Sequence, residues 1–170
     1  RTSTAVVNAY VLPLVRHYLV GLEDKLRLRA INRPLTIMQS SGGAMSAAAA
    51  AERPIHIIES GPAAGVVGAA ELARHLGNLS LLSFDMGGTT AKAALIESGH
   101  YLRVNSIEVG GGINIAGRLL SGGGYHVRAP AIDIAEVGAG GGSLARLDAG
   151  GALRVGPDSA GAAPGPACYD

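Results

Sequence analysis

The sequence predicts an α/β domain built with β-hairpins, and three observations carry that prediction. Apolar residues recur at helical spacing over residues 4–30, and a second helix opens at Pro62 and runs to about Leu76. Short apolar runs at 35–39, 55–58 and 79–84 are bounded by turn residues, as strands are. Glycine, 26 of 170 residues, is gathered into clusters rather than spread at a fixed period. Such clusters mark tight turns or close approach of the backbone to a ligand. A mixture of helices with hairpin-linked strands defines the α/β class.

The elements follow in order. Residues 4–30 read as a helix that Thr4 can cap, with Val7, Tyr10, Val11, Leu14, Tyr18 and Leu22 at helical spacing. Pro13 lies inside this pattern and is expected to kink or divide it. Residues 35–39 form a strand ending in the turn Ser40-Ser41-Gly42-Gly43. The alanine-rich stretch 46–52 is a brief helix closed by Pro54, and 55–58 is a second short strand. Pro62 suits a first helical position, with Ser60 or Gly61 as cap, and the helix stops at Gly77. Its side chains are small (Ala63, Ala64, Gly65, Gly68, Ala69, Ala70), which permits close packing on a sheet or a ligand. Residues 79–84 are a buried-type strand, the Gly-Gly-Thr-Thr loop makes a hairpin, and 92–96 is the return strand. A turn at Ser98-Gly99 leads to a strand over 101–108. Beyond Gly110 the pattern weakens; 131–137 alternates as a strand, 143–147 and 152–155 form a hairpin around Asp148-Ala149-Gly150-Gly151, and 156–170 is loop.

Composition narrows the classes of function. A chain of this length makes one domain with a sizeable core. Fourteen Lys and Arg against thirteen Asp and Glu give a net charge of +1, with no basic run, which argues against nucleic acid as a partner. One phenylalanine, five tyrosines and no tryptophan offer few surfaces for stacking bases. Cys168, the single cysteine, excludes an internal disulfide and a cysteine zinc site, so a reducing cytoplasm is the expected compartment. No run of 18 apolar residues occurs, and no membrane span is expected. Both ends read as cut from something longer, so 1–170 is expected to be one partial domain, with an N-terminal domain and a C-terminal remainder outside it.

Three segments bear chemistry. In the first, Phe84-Asp85-Met86-Gly87-Gly88-Thr89-Thr90-Ala91-Lys92, a strand delivers a carboxylate, two glycines and two hydroxyls. Backbone N–H groups at Gly87 and Gly88 can converge on a phosphate, and Thr89 and Thr90 can donate to its oxygens. Asp85 stands where a carboxylate could hold Mg²⁺. The same residues also make a plain hairpin turn, and spacing does not separate the two readings. The second segment, Ser60-Gly61-Pro62-Ala63-Ala64-Gly65, is a helix start that favours anions, though it reads more readily as an ordinary capped helix. The third is Gly138-Ala139-Gly140-Gly141-Gly142-Ser143. Gly140, Gly142 and Ala145 fit the loose dinucleotide pattern, but no helix of sufficient length follows, so a Rossmann site is rejected and a glycine loop touching nucleotide or substrate is retained. No P-loop and no His-Glu-x-x-His motif occurs, the five histidines are scattered, and Cys168 has no identified base.

These segments, in this order, resemble the hydantoinase/oxoprolinase family, in its hydantoinase A-type (HyuA-type) large subunit. The matching blocks are Arg1-Thr2-Ser3-Thr4 with Asn8-Ala9-Tyr10, Met38-Gln39-Ser40-Ser41-Gly42-Gly43, Ser60 through Gly65, Phe84 through Thr89, Val137 through Ser143, and Val155-Gly156-Pro157-Asp158-Ser159-Ala160-Gly161-Ala162 on to Tyr169. The resemblance implies a partial actin-like ATPase (ribonuclease H-like) fold in which two β-hairpin loops grip the phosphates of ATP, the loop 85–89 being one of them. It implies ATP and Mg²⁺ as cofactors, with Asp85 as catalytic and metal-holding residue. Gly87, Gly88, Thr89, Thr90, Ser60, Gly61, Gly138, Gly140, Gly141 and Gly142 would bind the cofactor. The implied reaction is ATP-dependent opening of a cyclic amide such as a hydantoin or 5-oxoproline, through phosphorylation of the amide oxygen and attack by water, with a HyuB-type second subunit as partner. The resemblance also admits a subunit of an ATP-dependent ketone carboxylase, or a non-catalytic actin-like nucleotide switch. Many relatives carry Ser-Thr-Asp after the Gly-Gly-Thr, where this chain has Thr90-Ala91-Lys92, an exchange of acid for base. A segment lacking the opposite wall of the cleft is expected to be inactive alone.

Overall fold

The computed structural model describes residues 1–77, 79–110, 113–114 (as backbone), 124–161, 163 and 165–166. Cys168, parts of the glycine clusters 110–112 and 122–124, and the end of the last family-like block lie outside the described residues.

A long helix, α1 (Thr2–Leu28), leads the chain and runs through Pro13 without division. Proline within a helix removes one backbone bond, and here that loss falls on an exposed stretch. Thr4 is not its cap. The helix starts at Thr2, and the Thr4 hydroxyl accepts the Arg128 N–H at 2.9 Å. Ser3 donates to the His126 carbonyl, and the Asn8 side chain accepts the Ile55 N–H at 3.1 Å. Over an 18-residue window α1 reaches a mean hydropathy of 1.3, so by length and composition it is long and apolar enough to cross a membrane. The helix reaches that value without an unbroken run of 18 apolar residues. Its polar bonds to other elements tie one side of it to the domain.

Strands β1 (Thr36–Met38) and β2 (Ala44–Ser46) form a small hairpin. Helix α2 (Ala47–Glu52) follows, capped by the Ser46 hydroxyl, which accepts the Ala49 N–H at 3.2 Å. The expected strand over 55–58 is instead a 3₁₀ turn, Pro54–His56. Short apolar runs do not separate the two states, and Pro54 supplies a helix-compatible start. Helix α3 (Ser60–His75) buries Ala63, Val66, Ala70 and Ala73. With methyl-sized contacts on that face, it lies against the sheet through Ala94, Ile96 and Ile132.

That sheet carries the candidate site. Its strands are β3 (Leu81–Met86), β4 (Ala91–Glu97) and β5 (His100–Tyr101), followed by the short strands β6 (Arg103–Val104), β7 (Ile107–Val109), β8 (Ile113–Asn114), β9 (Tyr125–Val127), β10 (Ala131–Ile132) and β11 (Ala135–Val137). The order in the main sheet is β3-β4-β11-β8, antiparallel throughout, with β5 also on β4. Ser98 and Gly99, both at positive φ, turn β4 into β5. The strands expected over 101–108 and 131–137 are each broken because their parts pair differently. β6 pairs with β10 and β7 with β9, while β11 pairs with β4 and β8. A last hairpin, β12 (Ser143–Leu147) with β13 (Leu153–Ser159), extends into the stretch expected to be loop. Asp148 holds its turn by accepting the Gly150 and Ala152 N–H groups.

Strand β3 departs from the buried type expected of it. Leu82, Phe84 and Met86 are 67%, 62% and 53% exposed, because α3 covers only the opposite face. A continuous apolar run is what a strand covered on both faces requires.

Gly42 shows where glycine is required by packing. A Cβ there would lie 2.9 Å from Val67 Cγ2, 3.0 Å from the Tyr101 hydroxyl and 3.1 Å from Ile132 Cδ1, and its φ is +83°. Gly42→Ala is expected to destabilise the fold by about 2 kcal/mol from crowding and backbone strain together. Urea unfolding checks this, and an unchanged midpoint would refute it.

Candidate functional site

The hairpin between β3 and β4 closes with a hydrogen bond from Gly87 N–H to the Thr90 carbonyl at 2.9 Å. The next three N–H groups, those of Gly88, Thr89 and Thr90, have no partner among the described residues, and neither threonine hydroxyl is engaged there. Gly88 has no left-handed φ, and nothing stands within 4 Å of where its Cβ would be. Neither backbone conformation nor packing demands glycine at 88, and the turn presents a row of unspent donors beside open space. Successive backbone N–H groups of this kind form an anion-binding concavity.

The loop after β11 supports this turn from behind. Gly141 N–H donates to the Gly87 carbonyl at 2.9 Å and Gly142 N–H to the Gly88 carbonyl at 2.8 Å. Gly140 N–H goes to the Ser143 hydroxyl at 3.0 Å. The contact is backbone on backbone: a Cβ on Gly140 would lie 2.6 Å from the Gly87 oxygen. The N–H groups of all three glycines are spent within the chain, so this part of the loop braces the hairpin and has no N–H left for a ligand. Gly138 lies at the exposed end of β11.

The start of α3 offers less than its sequence implies. Ser60 is the first helical residue, with Glu59 at the cap position and no side-chain cap bond. Ser60 N–H is taken by the Ile57 carbonyl at 3.1 Å and Ala63 N–H by the Glu59 carbonyl at 3.1 Å. Pro62 has no N–H. In the first turn, Gly61 alone retains a backbone N–H without a partner among the described residues.

The side chain of Glu59 meets Lys92 of β4. Lys92 Nζ lies 2.5 Å from Glu59 Oε2 and 3.4 Å from Glu136 Oε1. Lys92 stands opposite Asp85 on one side and Glu136 on the other in strand register. Its ion pairs are with Glu59 and Glu136, which leaves the exposed Asp85 carboxylate without an ion pair among the described residues. Burial pulls the Lys92 pKa down, but the hydrogen bond and charge of Glu59, with those of Glu136, outweigh it and hold the pKa above its ordinary 10.5. A raised lysine pKa contributes stability that is complete below the unfolded value and is lost as pH rises through the folded one. Urea unfolding carried from neutral into alkaline pH is therefore expected to show wild-type stability falling more steeply than that of Lys92→Met. Equal slopes would show that the pair contributes nothing.

No cluster of three or more His, Cys, Asp or Glu side chains able to hold a metal occurs among the described residues. A single free carboxylate still suits Mg²⁺, which keeps several waters and is commonly held by one or two carboxylates together with substrate phosphates. Asp85, one residue before Met86 and the turn, meets that need.

The fold and site define an α/β domain that carries a braced glycine hairpin beside an exposed carboxylate. A family model described as hydantoinase/oxoprolinase matches residues 1–170, and the chain belongs to that family. It is 53% identical over 169 residues to an uncharacterized protein of Methanocaldococcus jannaschii, covering 99% of this chain and 25% of that one. It is 36% identical to the caprolactamase subunit alpha of Pseudomonas jessenii, covering 99% of this chain and 22% of that one. It is 37% identical to 5-oxoprolinase 1 of Arabidopsis thaliana, covering 99% of this chain and 12% of that one. Among solved structures it is similar to nucleotide-free acetone carboxylase, with a TM-score of 0.66 and 31% identity over 86% of this chain and 19% of that one. It is similar also to the ATP-dependent caprolactamase of Pseudomonas jessenii, with a TM-score of 0.63 and 33% identity over 99% of this chain and 23% of that one. The chain thus spans a quarter or less of the length of these relatives.

Proposed function

We propose that this chain forms one wall of an ATP site in an enzyme that opens a cyclic amide, of the hydantoin or 5-oxoproline type. The observation that carries the reading is the row of N–H groups at Gly88, Thr89 and Thr90 that find no partner among the described residues, next to the Asp85 carboxylate, which makes no ion pair among them. The turn binds phosphate oxygens through those N–H groups and the two hydroxyls. Asp85 is the residue that would hold Mg²⁺, directly or through water. Bound Mg-ATP would supply a transferable phosphoryl group. The protein's part in such a transfer is positioning and charge stabilisation. Gly140 to Gly142 fix the turn from behind, and the Gly61 N–H would add one further donor. An actin-like fold would place a second phosphate loop opposite, on another part of the polypeptide. A HyuB-type subunit is the proposed partner and the cytoplasm the proposed compartment.

A ketone carboxylase subunit is the second reading, favoured by the likeness to acetone carboxylase and by 33% identity to the acetophenone carboxylase gamma subunit of Aromatoleum aromaticum. ATP turnover by the full-length protein, with and without its partner subunit, decides between them. Stimulation by a hydantoin, 5-oxoproline or another lactam is the expected result. Stimulation only by a ketone with bicarbonate would replace the first reading by the second. Slow turnover that no substrate accelerates would mark a nucleotide switch.

A further inference from the structure

Lys92 is the point at which the two supports of the hairpin meet. On one side its ammonium is bonded to Glu59, and Glu59 has little freedom of its own. The Glu59 N–H donates to the Ser40 hydroxyl at 3.0 Å, and the Glu59 carbonyl accepts the first helical bond of α3. Ser40 is 1% exposed; its N–H donates to the His56 carbonyl and its carbonyl accepts the Ile132 N–H, both at 2.7 Å. On the other side Lys92 pairs with Glu136, which directly precedes Val137 and the loop whose glycines grip Gly87 and Gly88. Lys92 lies on β4, two residues beyond Thr90. The side chains of Lys92, Glu59 and Glu136 are 15%, 24% and 32% exposed, so solvent screens the group only in part.

We infer that Lys92 is a positioning residue, which sets nucleotide affinity by holding the turn 87–90 in place against the start of α3 and the loop after β11. It does not act as a phosphate ligand. Two carboxylates already claim its charge, Glu59 at 2.5 Å and Glu136 at 3.4 Å. The inference rests on the nucleotide reading given above for what the turn binds.

The two roles differ in sign for one variant. If Lys92 positions the turn, Glu59→Gln loosens it and weakens ATP binding. If Lys92 contacts phosphate, Glu59→Gln releases its charge and strengthens binding. Calorimetric titration of the full-length protein with ATP and Mg²⁺, alongside steady-state turnover, reads this. Lys92→Met is expected to raise Kd and KM for ATP about tenfold with kcat within about twofold, and Lys92→Arg to restore affinity to within about threefold. Tighter binding by Glu59→Gln, or unchanged affinity in folded Lys92→Met, would overturn the inference while leaving the nucleotide reading intact. A wild-type protein that binds no ATP would overturn the nucleotide reading itself, and the positioning role with it. Should Lys92→Met fail to fold, the sign of the Glu59→Gln effect and the behaviour of Lys92→Arg still decide.

Discussion

Replacing Asp85 by Asn in the full-length protein is expected to lower Mg-ATP turnover by at least about a hundredfold while leaving the fold intact, in line with the loss seen when one charge-stabilising group is removed from a site. The fold is expected to survive because the carboxylate is exposed and supports no hydrogen bond or ion pair among the described residues. Its place in the β3–β4 ladder depends on its backbone, which asparagine keeps. The one cation opposite it, Lys92, is directed to Glu59 and Glu136, so the substitution strands no buried partner. Asparagine is nearly the same size but lacks the charge that holds a hard divalent cation. The outcome separates binding chemistry from stability more cleanly than a glycine variant could. Turnover is compared with wild type, and thermal unfolding verifies the fold. Near wild-type turnover in a folded Asp85→Asn protein would show that the metal-holding group lies elsewhere.

Much of the framework was legible in the sequence, because local chemistry decided it. Gly77 ends α3 at the expected place, the Asp85-Met86-Gly87-Gly88 segment makes the hairpin, and the alanine-rich stretch forms the brief helix α2. The misplaced elements are those decided by partners distant in the chain. The run 131–137 alternates as one strand would, yet Ala131–Ile132 pairs with Arg103–Val104 while Ala135–Val137 pairs with β4. Periodicity reports a face and says nothing about which neighbour claims it. The apolar run at 55–58 fitted a strand by composition, and the chain folds it as a turn that brings the His56 carbonyl to Ser40.

The site divides in the same way. The nearness of Asp85 to the 87–90 turn follows from contiguity and could be read directly. The pairing of Lys92 with Glu59 and Glu136 could not, because they are remote in sequence and adjacent only after folding. Nor could the sequence sort the glycines. Gly42, Gly88 and Gly140 occur in similar clusters, but the first fills a gap in the core, the second faces open space, and the third presses against another backbone.

That last difference leads to the second large effect. Gly140→Ala is expected to cost about 3 kcal/mol of stability, at the upper end of ordinary overpacking, and to weaken ATP binding with it. The new Cβ would stand 2.6 Å from the Gly87 oxygen, 2.7 Å from the Gly88 carbonyl carbon and 2.8 Å from the Gly88 oxygen. All three atoms belong to backbone, so no side-chain rotation relieves the clash, and one loop must move away from the other. Movement would stretch the Gly141 and Gly142 bonds to those same carbonyls and shift the three free N–H groups of the turn. Gly141→Ala makes the comparison sharp. Its Cβ would meet the Gly87 oxygen at 3.8 Å, an ordinary contact, so that neighbouring substitution is expected to be tolerated. Urea unfolding and ATP titration of the two variants test the pair. If Gly140→Ala matched Gly141→Ala in both measurements, the two loops could not be pressed together as the backbone distances require, and the brace behind the turn would have to be abandoned.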